Sequence, residues 1–320
     1  MKITESLIIN KFLKKLAFKK KEALELQDDI YLDSKKKFVY STDTYEEKIH
    51  FIDSSNPEKF IKKIFRSSIS DIYCKGCKPQ VYFLNLSIKK TNFSWLKKFS
   101  NQLKSESKKY GLFLGGGDIV KSNKFSLTIS VLGTFKKNPI LRSNAKIDDD
   151  IYVTGDLGDS YLGLLTMYKK IKFKNFKKYF VDSYEKPKLP IKFSTNLSKF
   201  ASASIDISDG FLKDLKSICL ASRCGANVNF LDLPFSKKGR LLCLKNKISL
   251  YKIFSKGDDY QILFTANKKY RRLIKITSKK TSTKLTRVGK IISGNHLKLN
   301  NGGKNVNLSS IKRGFIHSFN

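Results

Sequence analysis

The first 135 residues alternate between strand-like and helix-like segments, and this order restricts the folds open to the chain. Strand patterns occur at 37–43 and 81–88, and two more follow before residue 135. Helical patterns separate the first three strands: one begins at Pro57, where a missing N–H costs little, and the other ends at Gly111. This βαβαββ order predicts a layered α/β (α+β) fold.

A polar stretch at 136–150 separates this region from a second series of strand and helix patterns. With 320 residues available, we expect two domains, 1–136 and 137–320. Residues 5–18 have the spacing of an amphipathic helix. Because the start of the chain lacks an uninterrupted apolar stretch and no apolar run approaches 18 residues, we expect no membrane span and a cytoplasmic protein.

The chain is strongly basic, with 64 Lys plus Arg against 27 Asp plus Glu. A basic protein of this kind can bind nucleic acid by releasing counterions from phosphates. Here the lysines are spread along the whole chain, and Lys, Asn, Ile, Phe and Tyr, all with A/T-rich codons, are abundant together. We therefore expect a solvated basic surface without a specific nucleic-acid partner, and keep nucleic-acid binding as an alternative.

Five cysteines are present, and two of them form the motif CKGC at 74–77. This spacing suits half a zinc site or a redox pair. No second CxxC or paired histidine accompanies it, and the chain has only three histidines. We therefore expect reduced thiols, with Cys74 and Cys77 as ordinary cysteines near a helix end.

Acidic residues are scarce in this chain, yet many stand where predicted elements begin or end. These positions are Asp28, Asp29, Asp43, Asp71, Asp118, Asp206, Asp209, Asp258 and Asp259. Side chains at strand ends can project into a common cleft while the core fixes the strands themselves. Several carboxylates in one cleft repel unless a cation lies between them, and an all-oxygen ligand set suits Mg²⁺.

The segment SASIDISDGFLKDL at 202–215 changes from a period of two to helical spacing. Asp206 and Ser208 fall on one face of the predicted strand. In the simplest interpretation, Ser208 or Asp209 caps the following helix. That explanation leaves Asp206 unaccounted for, because it belongs on a buried or half-buried strand.

The segment LGGGD brings Asp118 after three glycines. Glycines would let the backbone approach a phosphate closely, but an ordinary hairpin turn explains them equally well. No G-x-x-x-x-G-K-[ST] sequence is present, so any ATP would be held without that loop.

Taken in order, several motifs resemble the thiamine-monophosphate kinase family and, more widely, the aminoimidazole ribonucleotide synthetase-like superfamily. They are STDT followed by HF, SISD, LGGGD, RSNAKIDDDIYVTGDLGDSYLGL, ASIDISDGFLKDL, LP at 233–234 and GDDYQILFT. The resemblance runs from about residue 22 to the terminal GFIHSF. It implies an N-terminal domain whose sheet pairs with its twin in a homodimer, a C-terminal α+β domain, and ATP in the cleft. The implied reaction converts ATP and thiamine monophosphate to ADP and thiamine diphosphate with several Mg²⁺ ions.

The resemblance also implies site residues. Metal ligands, direct or through water, would be Asp29, Ser41, Thr42, Asp43, Asp71, Asp118, Asp206 and Asp209. ATP would contact Gly117, Asp118, Arg142 and Ser208. The thiamine substrate would contact His50, Asp258 and Phe315. Simpler alternatives are an exposed linker arginine at 142, a surface histidine at 50 and core packing at 315.

The chain departs from the family pattern at several positions. Gln27 stands where the family has glycine, Ile30 and Tyr31 stand where it has small residues, and Asp258 stands where it has Glu. Two alternatives therefore remain open: another ATP-using enzyme of the superfamily, or a nucleotide-binding relative that has lost catalysis.

Overall fold

A computed structural model describes residues 3–171, 175–308, 311 and 314. The first part of the chain forms a five-stranded sheet with two long helices. Its strands are β1 (Tyr31–Asp33), β2 (Phe38–Glu46), β3 (Lys78–Ile88), β4 (Phe113–Lys121) and β5 (Ser126–Thr134). Its helices are α1 (Glu5–Ile8), α2 (Pro57–Cys74) and α3 (Phe93–Tyr110). The strand order is β1-β2-β5-β3-β4, with only β3 and β4 parallel.

The second part of the chain forms a seven-stranded sheet. Its strands are β6 (Asp150–Thr154), β7 (Ala201–Asp206), β8 (Gly225–Asn229), β9 (Ile262–Ala266), β10 (Leu285–Ile292), β11 (Leu297–Asn301) and β12 (Lys304–Asn305). Its helices are α4 (Asp159–Met167), α5 (Lys177–Glu185), α6 (Ile191–Ser194), α7 (Phe211–Ser222), α8 (Lys237–Lys245), α9 (Leu250–Ile253) and α10 (Arg271–Thr281). The strand order is β12-β11-β8-β10-β6-β9-β7.

Helix α2 connects the two halves and owes its position to one apolar stripe. Asn56 caps its first turn by accepting a hydrogen bond from the Glu58 N–H, and Pro57 occupies the first helical position. Its buried residues, Phe60, Ile61, Ile64, Phe65, Ile69 and Ile72, recur at helical spacing and face the first sheet. The C-terminal end of α2 meets the second sheet, where Cys74 joins a cluster with Ile140 and Phe264.

The six predicted elements of the βαβαββ order are confirmed and are preceded by a short strand, β1, that was not predicted. The regular helix predicted over 5–18 is wrong. Only Glu5–Ile8 is α-helical, and wider and tighter turns follow as far as Ala17. The apolar side chains of Phe12 and Leu16 remain 48% and 60% exposed. Short helices need tertiary packing to persist, and this stretch has little of it.

The three glycines before Asp118 do not form the hairpin turn that was one of their two interpretations. They lie within β4, which continues to Lys121 along the outer edge of the first sheet. The proposed domain boundary between 136 and 137 lies in the irregular connection between β5 and β6, and it stays a prediction.

Candidate functional site

Three carboxylates from separate elements converge between the two sheets. Asp29 precedes β1, Asp71 lies near the end of α2, and Asp206 ends β7. Each offers an oxygen within 4.8 Å of the others. We call Asp29, Asp71, Asp206 and the adjoining Asp43 the acidic centre. Only the fold assembles it, because its members are separated by up to 177 positions in the sequence.

Asp206 is the most deeply buried member of the centre, with 1% of its surface exposed. Among the described residues, neither carboxylate oxygen has a hydrogen-bond partner of good geometry, although Ser70 lies close enough to lower the pKa somewhat. Burial dominates, and the pKa of Asp206 is raised. An unpaired buried carboxylate is costly unless it loses its charge or a cation compensates it.

Asp43 and Asp71 are also buried, and each lies near the negative charges of other carboxylates. Burial and the negative charge of Asp206 raise the pKa of Asp43 to about 7. Burial and the charge of Asp43 raise the pKa of Asp71 well above its usual range, even though the Ser41 hydroxyl donates to Asp71 Oδ2 at 2.6 Å. Without an added cation, this group of carboxylates therefore binds protons more tightly than ordinary aspartates do.

Two side-chain cations border the centre on the side of Asp28 and Asp29. Lys75 Nζ lies 2.8 Å from Asp28 Oδ1 and 2.7 Å from Asp29 Oδ2. Arg142 contacts both Asp29 oxygens, and its backbone N–H donates to Asp28 Oδ2 at 2.8 Å. Burial alone lowers the pKa of Lys75, but negative charge, chiefly that of Asp28, outweighs it and the net pKa is raised.

The loop after β7 brings Ser208 and Asp209 beside the centre, but neither residue caps α7. Gly210 occupies the cap position without a side-chain cap bond; its own N–H donates to Asp214 Oδ2, and Lys213 pairs with Asp209 at 2.6 Å. The capping interpretation of the sequence is therefore wrong. The loop is instead held by its neighbour, since the Asp258 N–H donates to the Ser208 carbonyl at 2.8 Å.

Two glycines permit this close pairing of loops. Gly210 has a φ of +121°, and a Cβ there would lie 2.4 Å from the Ser255 carbonyl oxygen. A Cβ on Gly257 would lie 1.7 Å from the Ser208 carbonyl oxygen. Larger residues would therefore force the loop that carries Ser208 away from its present position.

His50 and Asp258, both predicted to contact substrate, share a third residue. Lys63 Nζ lies 3.0 Å from Asp258 Oδ1 and donates to the His50 carbonyl at 2.7 Å. The same ammonium lies 3.6 Å from the centre of the Tyr184 ring. One buried lysine therefore joins the two predicted residues, through the backbone carbonyl of His50 and the carboxylate of Asp258, while the His50 imidazole Nδ1 accepts from the Glu46 N–H at 3.0 Å.

The structure does not bring Thr42, Gly117 or Asp118 to the acidic centre within one chain. Successive residues of β2 face opposite sides, so the Thr42 hydroxyl points away from Ser41 and instead meets Ser130 at 2.7 Å. Gly117 and Asp118 lie on β4, three strand positions from β2, or about 14 Å along the sheet. Phe315 lies outside the described residues.

Sequence reasoning missed Lys63, Lys75 and Asp214. Lys75 lies inside the CKGC motif, which was interpreted through its two cysteines. Cys74 and Cys77 are both buried, and among the described residues neither belongs to a potential metal cluster. The only available signal for Lys75 was its place at a helix end close in sequence to Asp71, which is weak in a chain so rich in lysine.

The chemistry of the centre is that of hard oxygen ligands. Carboxylate and hydroxyl groups converge there, and such sets hold Mg²⁺ rather than softer metals. The orphaned oxygens of Asp206 and the raised pKa values of its neighbours fit a cation between them. Arg142 adds a planar donor group of the kind that binds phosphate.

Two mixed sheets with an acidic centre between them place the chain in a class of α/β proteins related to AIR synthase. Residues 26–135 match the family model described as AIR synthase related protein, N-terminal domain. Matches over nearly the whole chain identify a more specific family. The thiamine-monophosphate kinase of Buchnera aphidicola subsp. Schizaphis graminum is 36% identical over 302 residues, which cover 92% of each protein.

A second thiamine-monophosphate kinase, from Buchnera aphidicola subsp. Acyrthosiphon pisum, is 36% identical over 300 residues and covers 91% of this chain and 92% of its own. A solved structure described as AaThiL complexed with AMPPCP and TMP has a TM-score of 0.83 and 25% identity, covering 98% of this chain and 97% of that one. The chain belongs to the thiamine-monophosphate kinase family, a family of kinases. Within the described residues, no helix is long and apolar enough to cross a bilayer.

Proposed function

We propose that this chain uses ATP to phosphorylate thiamine monophosphate, giving thiamine diphosphate and ADP. The observation that carries the proposal is the acidic centre in a member of a kinase family, with an Asp206 carboxylate that has no hydrogen-bond partner of good geometry among the described residues. A relative whose structure is described with AMPPCP and TMP supports the choice of donor and acceptor.

Because the proposed acceptor is the phosphate of thiamine monophosphate, the site does not need a general base. A phosphate oxygen is already ionised at neutral pH, so no side chain is needed to remove a proton from it. The difficulty is to bring two polyanions together in line. When bound, Mg²⁺ supplies the positive charge that neutralises both and helps to align them.

The proposed metal-binding residues comprise the acidic centre, its neighbours Ser41 and Asp209, and two residues away from it: Thr42, supported by the sequence resemblance alone, and Asp118, which a second copy would supply. They are Asp29, Ser41, Thr42, Asp43, Asp71, Asp118, Asp206 and Asp209. The raised pKa values of Asp43, Asp71 and Asp206 support the three central positions. Ser41 holds Asp71 in position through its 2.6 Å hydrogen bond, which supports its place in the proposed set.

ATP is proposed to contact Gly117, Asp118, Arg142 and Ser208. Arg142 is half-buried and joined to Asp29, so it stands beside the centre rather than free in a linker. Its guanidinium can exchange this carboxylate for a phosphate of the nucleotide. Such an exchange would release Asp29 oxygens when the nucleotide arrives.

The thiamine substrate is proposed to contact His50, Asp258 and Phe315. Support comes from Lys63, whose ammonium contacts both the His50 carbonyl oxygen and the Asp258 carboxylate and so keeps the two residues near each other. Asp258 is partly exposed and offers a carboxylate to the positively charged ring system of thiamine. For Phe315 the support is the sequence resemblance alone.

We also propose a homodimer that completes the site. The outer edge of β4 exposes apolar residues, among them Phe113, Leu114 and Ile119. Within the described chain, no strand pairs with that edge or with the outer edge of β2 beyond residue 40. Unpaired apolar edges favour pairing with another chain. If β4 of a second copy paired with the outer edge of β2, Asp118 of that copy would lie beside the strand that carries Asp43.

A cytoplasmic location is part of the proposal. It is supported by five buried cysteines, none of which forms a disulfide.

The decisive experiment incubates the purified chain with ATP, Mg²⁺ and thiamine monophosphate and measures thiamine diphosphate directly. Thiamine serves as the control acceptor, because it lacks the phosphate. Product from the monophosphate alone is expected. Binding of Mg-ATP without product would contradict the proposed reaction and favour a relative that has lost catalysis or uses another acceptor.

A further inference from the structure

Lys75 directly follows the last residue of α2, and its buried side chain lies at the border of the acidic centre. Its side chain has no exposed surface, and those of Asp28 and Asp29 are 5% and 9% exposed. The ammonium reaches both carboxylates and also donates to the Ser204 carbonyl on β7 at 2.8 Å. The three N–H donors of a lysine are therefore matched by three oxygens.

This coordination is what a bound cation requires. Two of the three oxygens belong to carboxylates, and the third is a backbone carbonyl. Lys75 also lies at the C-terminal end of α2, where the helix dipole favours positive charge. No water separates the ammonium from its partners at these distances, so the group cannot leave without breaking the whole set.

A structural contact between the two sheets would not need a charged side chain at position 75. Ser204 is already joined to the end of α2, because its hydroxyl lies 2.6 Å from the Cys74 carbonyl oxygen. A neutral side chain at position 75 could pack there and leave this link intact. A structural contact between α2 and β7 does not explain why a permanently positive side chain lies between two buried carboxylates.

We propose that the Lys75 ammonium takes the place of one divalent ion at the acidic centre. Its single positive charge, together with that of Arg142, balances Asp28 and Asp29, so that exchangeable Mg²⁺ is confined to the side formed by Asp43, Asp71 and Asp206, with Asp29 shared between the two. This inference rests on the proposed function in one respect: it takes the centre to be a Mg²⁺ site.

The test counts metal ions instead of turnover. Mn²⁺ is titrated into the full-length chain and into Lys75→Met, and bound ions are counted by electron paramagnetic resonance and equilibrium dialysis. Methionine keeps an unbranched side chain that is one atom shorter and removes the charge. Lys75→Met is expected to bind an additional Mn²⁺ ion per chain, and its melting temperature is expected to rise more on Mg²⁺ addition than that of the parent.

The matched control is Lys63→Met. Lys63 is also a nearly buried lysine with a carboxylate partner, but that partner is Asp258, outside the acidic centre. Its removal is expected to lower stability without changing the number of bound Mn²⁺ ions. If Lys75→Met does not accumulate as folded protein, Lys75→Gln gives the same count while keeping N–H donors for the neighbouring oxygens.

Two outcomes overturn the inference: an unchanged Mn²⁺ count in the Lys75 variants, or a lower count than in the parent. The first would make Lys75 a structural link, and the second would make it a positioning residue for the metal ligands. Neither ATP nor thiamine monophosphate takes part in this measurement. A parent chain that forms no thiamine diphosphate would therefore contradict the proposed function, while the ion count would still decide the role of Lys75.

Discussion

Lys63 Nζ lies 3.0 Å from Asp258 Oδ1, yet the two side chains differ in exposure: 4% for the lysine and 31% for the aspartate. The two halves of this ion pair are therefore not equivalent. If the Asp258 charge is lost, the partners that the buried ammonium keeps among the described residues are the His50 carbonyl and the Tyr184 ring. If Lys63 is lost, water can hydrate the remaining carboxylate.

We therefore predict that Asp258→Asn lowers the free energy of unfolding by about 2 kcal/mol or more, and Lys63→Met by only ~1 kcal/mol. Urea unfolding of both variants provides the measurement. Asp258→Asn should also raise the KM for thiamine monophosphate more than the KM for ATP. A larger loss of stability in Lys63→Met than in Asp258→Asn would contradict this account of the pair.

The pH dependence of stability should reveal the repulsion inside the acidic centre. Asp43 has a pKa of about 7 in the fold against 3.8 for an ordinary aspartate. As pH rises, the unfolded chain releases this proton first, while the folded chain must ionise Asp43 against burial and the charge of Asp206. The stability that this group contributes is therefore complete below about pH 4 and is lost as pH approaches 7.

In a chelating buffer, the melting temperature of the parent is expected to fall across this pH range more than that of Asp43→Asn. Adding Mg²⁺ should remove most of the difference at pH 7, because the cation compensates the ionised carboxylates. Equal pH slopes for the parent and the variant would show that Asp43 is not in the environment described here.

Asp206→Asn should separate stability from activity. The substitution removes a buried charge that has no good hydrogen-bond partner among the described residues, so stability in chelator is expected to be unchanged or higher. The same change removes a ligand of the proposed metal site, and turnover should fall ~100-fold or more. Asp43→Asn is expected to follow the same pattern.

Thermal unfolding in EDTA and a thiamine diphosphate assay are run on the same preparations. Asp232→Asn, at an exposed aspartate, serves as the control and should change neither quantity. Parental turnover in Asp206→Asn at saturating Mg²⁺ would remove Asp206 from the metal-binding set.

Much of the first sheet and its two long helices could be predicted from the sequence, because their apolar periodicity is enforced by burial. Helix α2 is the clearest example, with Pro57 at its start and Ile61, Ile64 and Ile72 on its buried stripe. The pattern at the N-terminus was of the same kind, yet its apolar residues remain exposed. Periodicity predicts a helix only where a partner surface exists to cover it.

All four aspartates of the acidic centre, Asp29, Asp43, Asp71 and Asp206, were singled out in the sequence, because carboxylates at element boundaries are unusual in a basic chain. The lysine that borders them was not. Lys75 could not be recognised, since a buried lysine and an exposed one look alike in a sequence with so many. The position of Asp118 on the far edge of the sheet depends on strand order, which local patterns do not encode.

Arg142 provides a test of nucleotide binding. Its guanidinium contacts both oxygens of Asp29, a geometry that lysine cannot reproduce. We predict that Arg142→Met weakens binding of a non-hydrolysable ATP analogue ~10-fold or more, and that Arg142→Lys restores only part of the loss. Isothermal titration calorimetry in the presence of Mg²⁺ provides the measurement. Arg240→Met, at an exposed arginine, should bind like the parent, whereas parental binding by Arg142→Met would assign the residue a structural role with Asp29.

The last prediction concerns the position of Asp118 on β4, away from Asp43 in the same chain. If a second copy supplies Asp118 to the centre, each active site combines residues from two chains. Asp118→Asn and Asp43→Asn proteins should then each be nearly inactive, whereas an equimolar mixture allowed to exchange subunits should recover about a quarter of the parental activity. That recovery arises because half of the dimers would be mixed, and each mixed dimer would contain one site with both aspartates intact. Thiamine diphosphate formation after subunit exchange measures the recovery. In a separate variant, Ile119→Lys places a charge on the same exposed edge, and it should reduce both dimerisation, measured by sedimentation, and activity. A mixture that remains inactive although capture of one differently tagged variant also recovers the other would mean that Asp118 serves its own chain or does not serve the centre at all.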